Sequence, residues 1–205
     1  DMVASTLNPN LGGWMLSPMA TEIEAQTVRW IAELIGYHTD CGGLLVSGGN
    51  MANFVCFIAA RANKLGGETR DKGMAGVKGK IYASEETPPW IQKAADLFGL
   101  GTDAIRWIET DRYVRMKPDA LRKAIETDQQ NGDQPFIVVA TAGSVSTGTV
   151  DPLDEIAQIA AENDLWFHVD GAYGGFAACV PGQREQFAAM AKADSIAIDP
   201  HKWLY

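Results

Sequence analysis

The run Leu165-Trp-Phe-His-Val-Asp170-Gly-Ala-Tyr-Gly-Gly175 decides how this chain folds, together with Asp199-Pro-His-Lys-Trp203, which follows another apolar run. The first reads as an apolar strand ending in an acid and a cluster of small residues. The second sets a lysine just past a strand end. An acid and a lysine at neighbouring strand ends suggest pyridoxal phosphate. That chemistry needs a Lys amine to hold the aldehyde as a Schiff base, and a carboxylate against the pyridine nitrogen to keep it protonated as an electron sink. Lys202 and Asp170 are the candidates. Either alone has an ordinary reading, a solvated loop cation or a helix cap. Together, within H-V-D-x-A-x-x-G and D-P-H-K-W, they are far more specific.

Composition permits this reading. The chain has 205 residues, 46% hydrophobic and 21% charged, enough to bury a core as one domain. A net charge of -9 argues against nucleic acid or an anionic membrane as the main partner, so any phosphate must be held locally. No apolar run approaches the roughly 18 residues of a membrane span. The first residues show no basic segment followed by an apolar signal core. These features predict a soluble, cytoplasmic protein. Cys41, Cys56 and Cys179 are odd in number and form no C-x-x-C pair, which fits reduced thiols better than disulfides or a zinc site.

Outward from the decisive run, short β-rich segments alternate with amphipathic ones, the pattern of an α/β fold with a mostly parallel sheet flanked by helices. A helix is expected from about Pro18 to Leu34, with a capping box from Thr21 and Glu24, a shared face of Ile23, Trp30, Ile31 and Leu34 for core or subunit contact, and a stop at Gly36. Leu44 to Ser47 reads as a first short strand and Met51 to Leu65 as a helix. Then follow strand 80–84, a helix from about Pro89 to Phe98, strand 105–108, helix 118–130 and strand 136–141. Helix 152–163, strand 165–169, a short helix near 183–191 and strand 195–198 complete the pattern.

Two loops carry polar chemistry. In Ser47-Gly-Gly-Asn-Met-Ala-Asn53, glycines allow close backbone approach and the helix start offers N–H groups to a phosphate, with Gly49 and Asn50 as contacts. A tight turn with an Asn cap explains the same residues equally well. Neither a nucleotide P-loop nor a G-x-G-x-x-G opening a helix is present, which disfavours a nucleotide or NAD site. The second loop, Thr141-Ala-Gly-Ser-Val-Ser-Thr-Gly-Thr-Val-Asp151, follows a strand and is expected beside Asp170 and Lys202, outside the carboxyl ends of the sheet. Ser144 is placed to reach cofactor or substrate there, although such a loop is commonly only a turn. Asp151 is expected to cap the helix that Pro152 begins.

These motifs resemble the large, cofactor-binding domain of the group II pyridoxal-phosphate-dependent decarboxylases, which include aromatic-amino-acid, glutamate, histidine and tyrosine decarboxylases. The resemblance runs through Ser17-Pro-Met-Ala-Thr-Glu-Ile-Glu24, Ser47 to Asn53, Thr141-Ala-Gly-Ser144, His168 to Gly174 and Asp199 to Trp203. It implies a fold-type-I homodimer that decarboxylates an L-amino acid to an amine and CO2. By the same match Lys202 forms the internal Schiff base, Asp170 pairs with the ring nitrogen, Ala172 packs on the ring, Gly49 and Asn50 hold the phosphate, and Asp199 and His201 line the surroundings. His201 is a candidate proton or phosphate contact; His168 reads equally as catalytic or as a buried, hydrogen-bonded histidine.

Two departures from the family pattern stand out. Where relatives place a His over the cofactor ring, after Lys80-Ile-Tyr-Ala-Ser84, this chain has Pro88, and Trp90 is either a substitute for it or a core residue. Relative to the family, residues 1–205 are also expected to be a partial large domain, without an N-terminal segment and a C-terminal small domain, and inactive alone. Alternatives are another fold-type-I enzyme, such as a desulfurase, aldehyde-forming lyase or aminotransferase, or a cofactor-binding homologue impaired at Pro88.

Overall fold

The structure is a computed structural model describing residues 2–204. The described chain divides into two compact units, one ending at Val46 and one beginning at Ser47. In the first, α1 (Met2–Leu7) and a 3-10 turn at Trp14–Leu16 precede α2 (Pro18–Ile35). Proline opens α2 because the missing N–H would be unpartnered there anyway. Gly36 ends it in the left-handed region at φ 76°, the conformation a side chain disfavours, as expected.

Three expectations are corrected here. Thr21 and Glu24 form no capping box: the helix begins a turn earlier, the Thr21 hydroxyl donates to the Ser17 carbonyl, and the Glu24 carboxylate accepts from the Leu45 N–H at 2.8 Å. That last bond shows why Leu44 to Ser47 is not a strand, since its backbone is held by a side chain rather than a ladder, and Leu44 and Leu45 stay half exposed. The stripe on α2 is not core either. Trp30 is 57% exposed and Ile23 and Leu34 are similarly open, while Ala32 and Ile35 are buried.

The second unit holds α3 (Gly48–Lys64), α4 (Glu68–Lys72), β1 (Gly79–Ser84), α5 (Trp90–Leu97), β2 (Ile105–Ile108), α6 (Pro118–Gln130) and β3 (Gln134–Thr141). It continues with α7 (Leu153–Glu162), β4 (Trp166–Gly171), α8 (Arg184–Phe187), β5 (Ser195–Ile198) and α9 (Pro200–Trp203). The strands form one parallel sheet in the order β2-β1-β3-β4-β5. Helices cover both faces, which is why Ile81 to Ala83 and Phe136 to Ala140 are unbroken apolar runs, all fully buried.

The chain moves one way from β1 to β2 and the other way from β3 to β5. Right-handed crossovers then require α5 and α7 on opposite faces. Ile81, Ala83, Ile137 and Val139 join Phe57 and Ala60 of α3 and Ile91 and Ala94 of α5 in one cluster. Tyr82 alternates to the other face and donates its hydroxyl to Asp128 of α6 at 2.8 Å. Asp128 also accepts from Arg106 of β2, through Nε at 2.9 Å and through the second nitrogen at 2.8 Å. Burial, and then the Asp128 carboxylate, push the Tyr82 phenol up from its usual range, so it remains a donor.

This buried cluster ties α6 to both strands at one side of the sheet. Tyr82→Phe removes one hydrogen bond and is expected to cost about 1 kcal/mol. Asp128→Leu leaves the buried Tyr82 hydroxyl without its partner and Arg106 with only Asp133 and the Asp103 carbonyl, and is expected to cost about 2–4 kcal/mol after allowing for the partial exposure of Arg106. Urea denaturation of the two variants checks this; equal, sub-kilocalorie effects would show that the cluster fastens nothing.

Candidate active site

The reversal of direction lies between β1 and β3, and the loops after these strands part there, leaving a crevice beyond the carboxyl ends. Register brings the ends level, with Thr141 beside Asp170 and Gly171 beside Ile198. An open cleft of about 420 Å³ occupies this position. Its wall comes from Gly49, Asn50 and Asn53 of α3, Pro88 and Trp90 after β1, and Thr141, Gly143 and Val145 at β3. Asp170, Ala172, Tyr173 and Lys202 complete it. Ser146 donates to Glu86 at 2.7 Å and so joins the loops after β1 and β3.

The loops after β3 and β4 touch backbone to backbone. A Cβ on Gly174 would lie 2.7 Å from the Ala142 carbonyl oxygen, and one on Gly143, at φ 90°, would lie 2.7 Å from the Gly174 Cα. Two glycines are needed for this approach, and it keeps Thr141 next to Asp170.

Asp170 is 6% exposed and faces α3 and α5, on the same side of β4 as His168, as the two-residue spacing predicts. Three donors reach its carboxylate: the Ala172 N–H to Oδ1 at 3.1 Å, and Trp90 Nε1 at 2.7 Å and Asn53 Nδ2 at 3.2 Å, both to Oδ2. Burial pushes the carboxyl up from its ordinary value, while these donors and the Lys202 charge oppose the rise. With about two acceptor sites per oxygen, Oδ2 is saturated and Oδ1 retains capacity for a donor from the cleft.

His168 is fully buried, with Nε2 2.8 Å from Asn53 Oδ1 and Nδ1 2.9 Å from Ser195 Oγ. The Trp90 ring meets it edge-on at 5.7 Å. Of the two roles open to His168, the structure places it in the buried, hydrogen-bonded one, outside the cleft wall. Trp90 is a core residue of α5 whose indole N–H serves Asp170.

The other expected site residues separate into two groups. Gly49, Asn50, Asp170, Ala172 and Lys202 converge on the cleft, and Pro88 stands in its wall. Ser144, Asp199 and His201 do not. The Ser144 hydroxyl is turned into its own loop, 2.7 Å from Thr147 Oγ1. The Asp199 carboxylate caps α9 by accepting from the His201 N–H at 3.0 Å, and the His201 side chain is exposed. Asp151 does not cap α7. Its oxygens instead accept the N–H groups of Met116 and Thr141, each at 2.8 Å, clamping β3 to the segment before α6.

Asn53 is a site residue that sequence reasoning missed. Its signal was a polar side chain at the spacing of the buried Phe57 and Ala60. Thr141 is another: its hydroxyl is buried in the cleft wall with no hydrogen-bond partner, a cost of about 1–3 kcal/mol that a polar ligand would relieve. The first turn of α3 has no side-chain cap, so its N–H groups suit an anion. An anionic pyridine carrying an aldehyde fits these residues: the helix start for its phosphate, Thr141 and Asp170 for its ring polar atoms, Ala172 for its face and Lys202 for its aldehyde.

Comparison with known proteins agrees with this geometry. Residues 1–205 match the model of the pyridoxal-dependent decarboxylase conserved domain. The chain belongs to the pyridoxal-dependent decarboxylase family. It is 34% identical over 205 residues to an aromatic-L-amino-acid decarboxylase of Bacillus atrophaeus, covering all of this chain and 41% of that protein. Among solved structures it is similar to mouse CSAD in apo form, with a TM-score of 0.93, 30% identity, and 99% of this chain and 43% of that one covered. It is also similar to Oryza sativa TDC with PLP and tryptamine, with a TM-score of 0.91, 33% identity, and 100% and 44% covered. A third is Rhodiola rosea 4-hydroxyphenylacetaldehyde synthase, with a TM-score of 0.89, 33% identity, and 99% and 44% covered. The chain thus spans less than half the length of these relatives. The expected fold-type-I architecture is the one found, and the family's cofactor is pyridoxal phosphate.

Burial lowers the pKa of His168 from 6.5 to about 4. The folded protein therefore holds the ring neutral where the unfolded chain would protonate it. This stabilisation is complete above pH 6.5 and is lost as pH falls from 6.5 toward 4, up to roughly 3 kcal/mol. Asp151 and Asp170, whose carboxyls burial raises, contribute the opposite slope. Stability curves of wild type and His168→Gln between these pH values isolate the histidine: the wild type should lose more stability on acidification, and parallel curves would contradict the neutral buried ring.

Proposed function

We propose that this chain is the cofactor-binding part of a pyridoxal-phosphate-dependent carboxy-lyase that converts an L-amino acid to an amine and CO2, working as a homodimer. The observation that carries the reading is Asp170: a buried carboxylate at the carboxyl end of β4, one strand from the reversal point, held by three donors, with Lys202 on the same cleft. Family membership supports the reaction, and the exposed Ile23, Trp30 and Leu34 of α2 support a subunit contact.

When bound, the cofactor supplies an electron sink for the breaking bond. Lys202 is the amine that holds it and yields to the substrate amine. Asp170 keeps a proton on the ring nitrogen, where the positive charge makes the sink effective. Ala172 and Gly49 line the cleft, and Thr141 offers a hydroxyl beside Asp170. Ser144 braces the loop after β3 and Asp199 caps α9, and these two and the exposed His201 are expected to touch the ligand only if those segments rearrange.

Among the described residues, no helix is long and apolar enough to cross a membrane. A cytoplasmic location agrees with the acidic composition. A second reading, release of an aldehyde, is motivated by the similarity to 4-hydroxyphenylacetaldehyde synthase.

Full-length protein loaded with pyridoxal phosphate, screened with amino acids for CO2, amine and aldehyde, tests both. Borohydride reduction followed by peptide mapping should label Lys202; labelling of Lys80 or Lys192 would overturn the assignment.

Pro88 provides neither an aromatic face nor a proton in the cleft wall, so it sets an expectation of its own. Pro88→His, combined with replacement of Pro89 to free the backbone, should tighten cofactor binding and raise CO2 release severalfold, read by cofactor titration and product assay. Unchanged affinity and rate in a folded variant would show that Pro88 is no impairment.

A further inference from the structure

Behind Asp170 lies a chain of buried hydrogen bonds with a fixed direction. It rests on groups that can only donate. The Trp90 indole N–H points at Asp170 Oδ2 and the Ala172 N–H at Oδ1, so each carboxylate oxygen is an acceptor. The amide of Asn53 must then present its nitrogen to Oδ2, and its oxygen must face His168. That oxygen accepts, so His168 carries its proton on Nε2. With the ring neutral, Nδ1 is bare and accepts the Ser195 hydroxyl. Ser195 Oγ accepts in turn from the indole N–H of Trp166 at 2.8 Å. Every donor from Trp166 to Asp170 points the same way.

The residues come from three elements: Trp166 and His168 from β4, Ser195 from β5, Asn53 from α3. Asn53 and His168 are 1% and 0% exposed. A buried amide and imidazole cost free energy unless every polar end is used, and here the ends that face protein are used in one self-consistent pattern.

We propose that Ser195, His168 and Asn53 are positioning residues for Asp170, forming a one-way hydrogen-bond relay that occupies Oδ2 and reserves Oδ1 for the protonated nitrogen of the cofactor. The proposal rests on the reading of Asp170 as the ring-nitrogen partner. The relay itself exists without the cofactor. Replacing Asn53 by an isosteric acceptor removes the donor to Oδ2, and removing the Ser195 hydroxyl leaves His168 Nδ1 without its donor.

Two measurements test it. In 15N-labelled wild-type protein of full natural length, without cofactor, histidine NMR should show His168 as the neutral Nε2–H tautomer from about pH 5 to pH 8. Loss of its signals in His168→Gln identifies it. The Nδ1–H tautomer or an imidazolium overturns the relay, whatever the protein's reaction.

The second measurement uses 15N-labelled pyridoxal phosphate, whose ring-nitrogen shift reports protonation. Asn53→Asp should move that shift toward the unprotonated form and lower kcat roughly tenfold or more, with KM changed less. Ser195→Ala should move it the same way by less, and Ser195→Thr should restore it. A wild-type ring-nitrogen shift in folded Asn53→Asp, or in Ser195→Ala if Asn53→Asp does not fold, overturns the proposal. Failure of wild type to bind pyridoxal phosphate overturns the functional reading instead, and the histidine tautomer still decides the relay.

Discussion

A carboxylate buried at the end of a central strand is the constraint around which the second unit is organised. Asp170 left alone in that position would neutralise itself or unfold its surroundings. The unit answers with an indole from α5, an amide from α3 and a backbone N–H from the loop that follows. Each donor fixes an element. α3 must present Asn53 at its buried face, α5 must begin at Trp90, and the turn after β4 must bend tightly enough to aim the Ala172 N–H back at Oδ1. Electrostatic demand at one side chain thereby sets the seating of two helices and a loop.

The parallel sheet supplies the remaining alignment. Because β1 and β3 diverge in connection, their following loops part and expose the ends of the central strands, while register keeps Thr141 beside Asp170 and Gly171 beside Ile198. The backbone contact of Gly143 with Gly174 and the clamp of Asp151 on Met116 and Thr141 hold this end rigid.

Much of this was legible in the sequence where the signal was local. Strands 105–108 and 195–198 and helix 118–130 lie where propensity and apolar period placed them, and the meeting of Asp170 and Lys202 at one cleft was legible because their motifs are contiguous. Leu44 to Ser47 misled because four apolar-rich residues look like a strand whether or not a neighbour pairs with them. Asp151 misled for a related reason: Asp-Pro before a helix reads as a cap, yet Met116 and Thr141 compete for the same oxygens. Asn53 and Trp90 were hidden because what gives them meaning lies 117 and 80 residues away.

That distance also governs how the protein is made. Parallel strands cannot pair through a short turn, and contacts of such span form only after most of the intervening chain has been ordered, which makes assembly slow and leaves strand edges open to association meanwhile. The cleft is built from such contacts and is complete only once they have formed. A ligand that recognises it binds only finished molecules and draws the folding equilibrium toward them, by about 2.7 kcal/mol at a hundredfold excess over its Kd. Cofactor supply would then regulate how much of this chain persists in folded form, as well as how much of it can act.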